Sequence, residues 1–305
     1  MTASANTREF DLFGPWVDEV ASPEDIPRLY RGHPINLATT RLVLKVPRNI
    51  PRREAHAGMD LYDHMLIAHE YDLEILSRRA QHSGFDATQI AYADIAAIKD
   101  AVNLLDGSLT ITTRRGSHVA IPYNGSGGKQ ITALVNVLRD QFPRSANDSE
   151  RHTRMVDAHL PGRDGALMVD FKTAARANPN LTPWAWHERQ AVTPSAGGIA
   201  GAASRLLHRF SPMTLHGAVI AGDDAAMEIF SRRDFLIRGR VPELSSGRLV
   251  VPFAAVDQLA TAPHPAYAGV TELTLTAGAA AVNIHVPEGS SAERAIASAF
   301  STSAR

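Results

Sequence analysis

Apolar and polar positions alternate in short runs along most of this chain, and the runs predict strands. Arg41 to Val46 is a β-type run that ends at Pro47. Residues 61–69 fit a strand or a helical turn, because a short apolar run has no decisive period. Residues 72–79 form a clear strand pattern, and 90–105 reads as one or two strands broken near Asp94. Asp106-Gly107 is a hairpin signal between apolar runs. Residues 109–113 and 118–123 then pair across a turn at 114–117. Ile131, Leu134, Val135, Leu138 and Phe142 repeat at helical spacing and form one apolar stripe, which Pro143 stops. Further strands are expected over 215–221, 226–233, 235–239, 249–259, 270–276 and 281–286. Ser290 and Glu293 have capping-box spacing and open a last helix with Ala292, Ile296, Ala299 and Phe300 on one face.

Between these patterns lie segments without a clear period. Residues 1–40 carry Phe10, Phe13, Trp16 and Tyr30 among scattered prolines, which predicts an extended arm and not a helix. Its aromatics are expected on the body of the protein, with docking on a partner as the alternative. Residues 144–186 read as a connector: a polar stretch over 144–154, a short helix over 166–177 and an extended segment packed by Trp184 and Trp186. Residues 192–203, rich in Gly, Ala and Ser, read as a loop insertion.

The patterns repeat. Glu74-Ile75-Leu76-Ser77-Arg78-Arg79 returns as Glu228-Ile229-Phe230-Ser231-Arg232-Arg233. The runs at 90–95, 109–112 and 121–122 are echoed at 251–256, 273–276 and 286–287, in the same order. The offsets run 154, 161, 164 and 165, an upward drift expected from loop insertions between fixed strands. In both copies Glu, an apolar residue and Arg share one strand face. Arg78 and Arg232 are therefore expected to pair with the glutamates of their own strands, Glu74 and Glu228.

Each copy is a run of short antiparallel strands followed by one amphipathic helix. This order resembles bacterial pleckstrin-homology-like (PH-like) domains, over roughly 41–142 and 187–300. The resemblance implies a mainly β fold with α: a β-sandwich or partly open barrel capped by a C-terminal helix, duplicated. It divides the chain into an arm (1–40), a first PH-like domain (41–143), a connector (144–186) and a second PH-like domain (187–305). Members of that fold mostly bind or scaffold.

Composition narrows the classes further. A formal net charge of −1 argues against a general nucleic-acid or anionic-membrane binder. The absence of cysteine excludes disulfides, thiolate chemistry and cysteine-ligated metals. The first 18 residues lack a basic stretch followed by an apolar run, so no secretory signal is read and a cytoplasmic location is expected.

Candidate chemistry is sparse. Tyr123 to Gln130 sits between a strand and a helix, where a phosphate-binding loop would sit. The motif fails at Tyr123, where glycine is required, and at Gln130, where Ser or Thr would hold magnesium. His64, His69 and Glu70 have the wrong spacing for the helical zinc motif. His187-Glu188 and the set His152, Asp157, His159 are weaker still. No nucleophile-elbow motif appears. The arginine pairs at 52–53, 78–79, 114–115 and 232–233 read as solvated strand ends and hairpin tips, with a headgroup site as the alternative. The expectation is therefore a non-enzymatic protein-binding or assembly module, with no catalytic, cofactor-binding or metal residue and no cofactor. Its partner is another protein or itself. A peripheral anionic-lipid binder and a small hydrolase are the alternatives.

Overall fold

The computed structural model describes residues 8–144, 160, 164–195, 212–239 and 244–301. The fold is mainly β with α, built from several sheets with a C-terminal helix, and among the described residues no sheet closes into a barrel. In the first half, β1 (Asp18–Glu19), β2 (Leu42–Pro47), β3 (Tyr62–Ala68), β4 (Asp72–Arg78) and β5 (Phe85–Ala91) form an antiparallel sheet in chain order. A 3-10 turn at Tyr92–Asp94 leads into the meander β6 (Ile95–Asn103), β7 (Asp106–Thr113) and β8 (His118–Asn124). Helix α1 (Gly128–Arg139) follows. It buries Ile131, Leu134, Val135 and Leu138 completely, against Leu66, Ile75, Ile98 and Leu109 from both layers. The apolar stripe thus closes the space between the sheets.

In the second half, α2 (Gly165–Ala177) precedes β9 (Thr182–His187), β10 (Gln190–Pro194), β11 (Met213–Leu215), β12 (Ala218–Gly222), β13 (Ala226–Ser231), β14 (Leu236–Arg238) and β15 (Ser246–Pro252). A 3-10 turn at Phe253–Ala255 leads to β16 (Gln258–Pro263), β17 (Tyr267–Ala268), β18 (Val270–Ala277) and β19 (Ala280–Pro287). The last helix, α3 (Ser291–Ser301), buries Ala292 and Ile296 against Ile220, Ile229, Leu273 and Ile284. Registers correspond between the halves. Ile75 lies opposite Leu66 and Thr88, and Ile229 lies opposite Ile220 and Leu249. Leu109 opposes Ile121 as Leu273 opposes Ile284. Ile121 therefore matches Ile284, not Val286. The turn between β18 and β19 is Gly278-Ala279 alone, two residues tighter than the turn at 114–117. Gly278 takes φ +61°, and a Cβ there would meet the Arg114 carbonyl at 2.3 Å.

The halves meet along a seam. β6 pairs antiparallel with β15, Ile98 opposite Val250, so that a seven-stranded sheet runs β8-β7-β6-β15-β13-β12-β9. Side chains alternate across a strand. Ile98 and Val250 pack into the core that α1 closes, while Ala97, Leu249 and Val251 pack into the core that α3 closes. The first core therefore lies on one face of the long sheet and the second on the other. The sheet β1 to β5 forms the outer layer on the first face, and β16-β18-β19 forms it on the second. Among the described residues, β5 and β16 each end a sheet and carry exposed runs, 86–89 on β5 and Gln258 with 260–263 on β16.

Several local expectations are corrected. The arm is not purely extended: residues 8–12 are helical, β1 pairs with β2, and 3-10 turns occupy Pro23–Asp25 and Arg28–Tyr30. Phe13 and Tyr30 are buried against Tyr62, Met65 and Leu76, whereas Trp16 is exposed. The turn before β7 is Leu104-Leu105, since Asn103 already pairs with Asp106. Gly107 lies inside the strand, where a Cβ would meet the Tyr123 ring at 2.6 Å. The connector contributes α2 and an edge strand, β9, that pairs with β12. Residues 192–194 of the expected loop at 192–203 belong to strand β10 (Gln190–Pro194), which pairs with β11 and β17. The expectations for 145–154 and 196–203 lie outside the described residues.

Candidate functional site

The densest chemistry sits at the seam. Arg139, in the last turn of α1, donates from Nε to the Glu228 carboxylate of β13 and lies 2.5 Å from Asp223 through Nη2. Arg248 of β15 donates to the other Glu228 oxygen at 2.7 Å and to Asn136 Oδ1 of α1 at 2.7 Å. Glu228 is 0% exposed, so both its carboxylate oxygens must be met by protein groups. Asp223 also accepts from the amides of Ala225 and Ala226 and from Asn178. Burial pushes the Asp223 carboxyl up, but Arg139 and these donors outweigh it and hold it below the usual range. Two guanidiniums and two carboxylates thus balance in a desolvated knot that ties α1 to the second half. A second buried pair, Arg232 with Asp164 at 3.0 Å, ties β13 to the N-terminus of α2.

These contacts replace the expected same-strand pairs. Arg78 donates to Asp63 at 2.8 Å, and Glu74 lies 3.0 Å from His33 and 3.2 Å from His69. A strand rises about 3.3 Å per residue, so residues four apart are too distant to bond directly. Arg232 is also no solvated strand end, being 4% exposed.

A cavity of about 280 Å³ opens beside the knot, bounded by Asp100, Thr132, Asp170, Thr173, Phe230 and Arg248. Asp100 is pushed up to about 6 by burial, against the Tyr123 hydroxyl that donates to it at 2.5 Å and the nearby Arg248. Partial desolvation also raises Asp170, although the residue is exposed to solvent. Arg248 spends Nε and Nη1 on Glu228 and Asn136, but its buried Nη2 has no hydrogen-bond partner among the described residues, so the cavity wall offers a donor beside the Asp100 and Asp170 carboxyls. A second cavity, about 450 Å³, lies under the N-terminal segment between Glu9, Asp25, Arg31, Lys45 and Tyr62.

The glycine loop before α1 has a packing explanation. Asn124 Oδ1 accepts from the Ser126 amide, and a Cβ at Gly127 would meet Val17 at 2.7 Å. A Cβ at Gly125 would meet the Leu104 carbonyl at 2.4 Å. His64 bonds Ser77 at 3.0 Å while His69 bonds Glu74, so the two histidines have separate partners and Glu70 is exposed. Among the described residues no carboxylate hydrogen-bonds the His64 ring, and neither His64 nor Ser77 lines either cavity. His187 is buried, and its Nδ1 lies 3.1 Å from the Glu188 carbonyl. His152, Asp157 and His159 lie outside the described residues. The exposed arginines are largely matched: Arg79 to Asp86, Arg114 to Asp257 and two carbonyls, Arg115 to Asp94, Arg52 to the Phe10 and Phe13 carbonyls.

One cluster escaped sequence reasoning. His264, Glu272 and His285 bring ligand atoms within 4.8 Å of one another. Glu272 and His285 are cross-strand partners in β18 and β19, a relation visible only once the register is known. His285 Nε2 lies 3.0 Å from Glu272. His264 Nδ1 accepts from the amides of Ala266 and Tyr267, so in the neutral ring the proton sits on Nε2. A metal-bound imidazole does the reverse: one bare nitrogen meets the ion and the other donates. The cluster is two crossed imidazole rings, 4.9 Å apart, on one carboxylate.

No family model matches the chain, and no curated protein or solved structure matches it either.

Proposed function

We propose that this protein is a non-catalytic binding or assembly module, built from two tandem PH-like units and acting in the cytoplasm. The observation that carries the reading is the pair of open edges, β5 and β16, on a body whose halves are fixed to each other by buried charge and a shared sheet. An open strand edge offers a row of unpaired amides and carbonyls that another strand can complete. The seam holds the two edges at a fixed separation, which suits a scaffold. The PH-like reading draws support from the element order of each half: a layer of four strands (β2 to β5, joined by β1 from the arm, and β9, β12, β13 and β15), a layer of three and a closing helix. The pairing of exposed arginines with protein acceptors gives no support to a lipid-headgroup site.

The reading is tested by capture from the native host with the tagged full chain and a variant carrying Ala87→Lys and Thr261→Lys. A strand-edge lysine opposes added strands without touching the core. Partners held by the wild type and lost by the variant, at unchanged melting temperature, are expected. Partners retained equally by both would refute edge binding.

A further inference from the structure

We infer that the partner for these edges is a second copy of the chain, joined head to tail, with β16 of one copy paired antiparallel to β5 of the next; this rests on the assembly reading above. The seam is the argument. Within the chain, the first strand of the first half's three-stranded layer, β6, already pairs with the last strand of the second half's four-stranded layer, β15. The corresponding edges that remain are β16 and β5. β16 relates to β18 as β6 relates to β7, and β5 relates to β4 as β15 relates to β13. One kind of edge has met its complement internally, and among the described residues the chain is left with one unpaired edge of each of these two kinds.

The registers make the contact specific. Leu259 lies opposite Leu275 as Ile98 lies opposite Ile111, and Thr88 lies opposite Ile75 as Leu249 lies opposite Ile229. Carrying over the seam pairs Ile98–Val250 and Asp100–Arg248 sets Leu259 opposite Gln89 and Thr261 opposite Ala87 of the next copy. Both strands run without a bulge, and neither carries a lysine. Natural edges are blunted by lysine, proline or a bulge. The one proline, Pro263, falls at the end of the ladder, where its missing N–H shortens the ladder by one pair. The seam also steps from one layer to the next, since the two cores lie on opposite faces of the long sheet. A contact between unlike edges is heterologous and propagates into a filament, or a ring if the rotation closes.

Because the chain has no cysteine, introduced thiols report the contact cleanly. Sedimentation of the purified full chain should show a mass that rises above the 32.9 kDa monomer with concentration. The double variant Ala87→Cys/Thr261→Cys, oxidised or bridged by a short bismaleimide, should give a ladder of dimers, trimers and longer species. A mixture of the two single variants should stop at the mixed dimer, and either single variant alone should not link. Ala87→Lys with Thr261→Lys should abolish association, and Ala87→Lys with Thr261→Glu should restore it, since opposed like charges destabilise a cross-strand pair and opposite charges stabilise it. A strictly monomeric wild type at every concentration, or linkage of Ala87→Cys to itself, overturns the proposal. If the chain is monomeric but the lysine variant still loses a captured protein, self-pairing fails and the module reading stands. If capture is also unaffected, both fail.

Discussion

Glu228 shows how far a residue's role can lie from its neighbours in sequence. Its strand face is readable from alternation, yet its partner Arg139 sits 89 residues earlier, on the helix of the other half. Nothing in the Glu-x-Phe-x-Arg pattern distinguishes it from Glu74, which remains near the surface between two histidines. Glu228→Ala would leave two buried guanidiniums without their shared acceptor and should cost about 3–5 kcal/mol in chemical denaturation. Arg79→Ala, which removes an exposed pair with Asp86, should barely move the melting temperature. Two other buried groups set opposite pH dependences. Asp100 is raised to about 6 when folded, so its contribution is full below the ordinary carboxylate value and is lost as pH rises through 6. His187 is lowered to about 4 by burial, so its contribution is full above the ordinary imidazole value and is lost as pH falls towards 4. Asp100→Asn should therefore raise the melting temperature at pH 8 more than at pH 4. His187→Gln should flatten the loss of stability between pH 6.5 and 4. Equal shifts at all pH values would contradict both assignments.

The elements were legible where a period or a cap marked them. The stripe from Ile131 to Leu138 specified α1, and the structure places all four of its apolar side chains at 0% exposure. Leu138→Ala should cost about 2–5 kcal/mol, as for other large-to-small core changes, measured by denaturant unfolding of the full chain. A loss under about 0.5 kcal/mol would mean that the helix is not part of the core. The turn before β7 was misread for a physical reason. Gly107 has turn chemistry, but it is a glycine because Tyr123 crosses its backbone. The real turn forces Leu104 to φ +56°, a conformation no leucine advertises. The N-terminal segment escaped for another reason: its prolines exclude a long helix but permit the 3-10 turns that seat Tyr30 under Phe85.

At the scale of the whole molecule, the ordered echoes indicated two similar halves, and the registers of the described strands correspond between them. The join between the halves was not legible. β6 and β15 have the composition of any half-buried strand, and the small residue Ala97 that admits the second core looks no different from its neighbours. That join also sets a timetable. Ile98 cannot meet Val250 until about 150 more residues have been made, and at ~5–20 residues per second the edge of β6 stays bare for roughly 8–30 s. A nascent first half is thus sticky by construction, since it displays the edge that its own C-terminal half will later cover. A fragment ending at residue 144 should scatter light and sediment as aggregates at concentrations where the complete chain stays clear. Synthesis rate and chaperone supply would then govern the yield of this protein more than its final stability does.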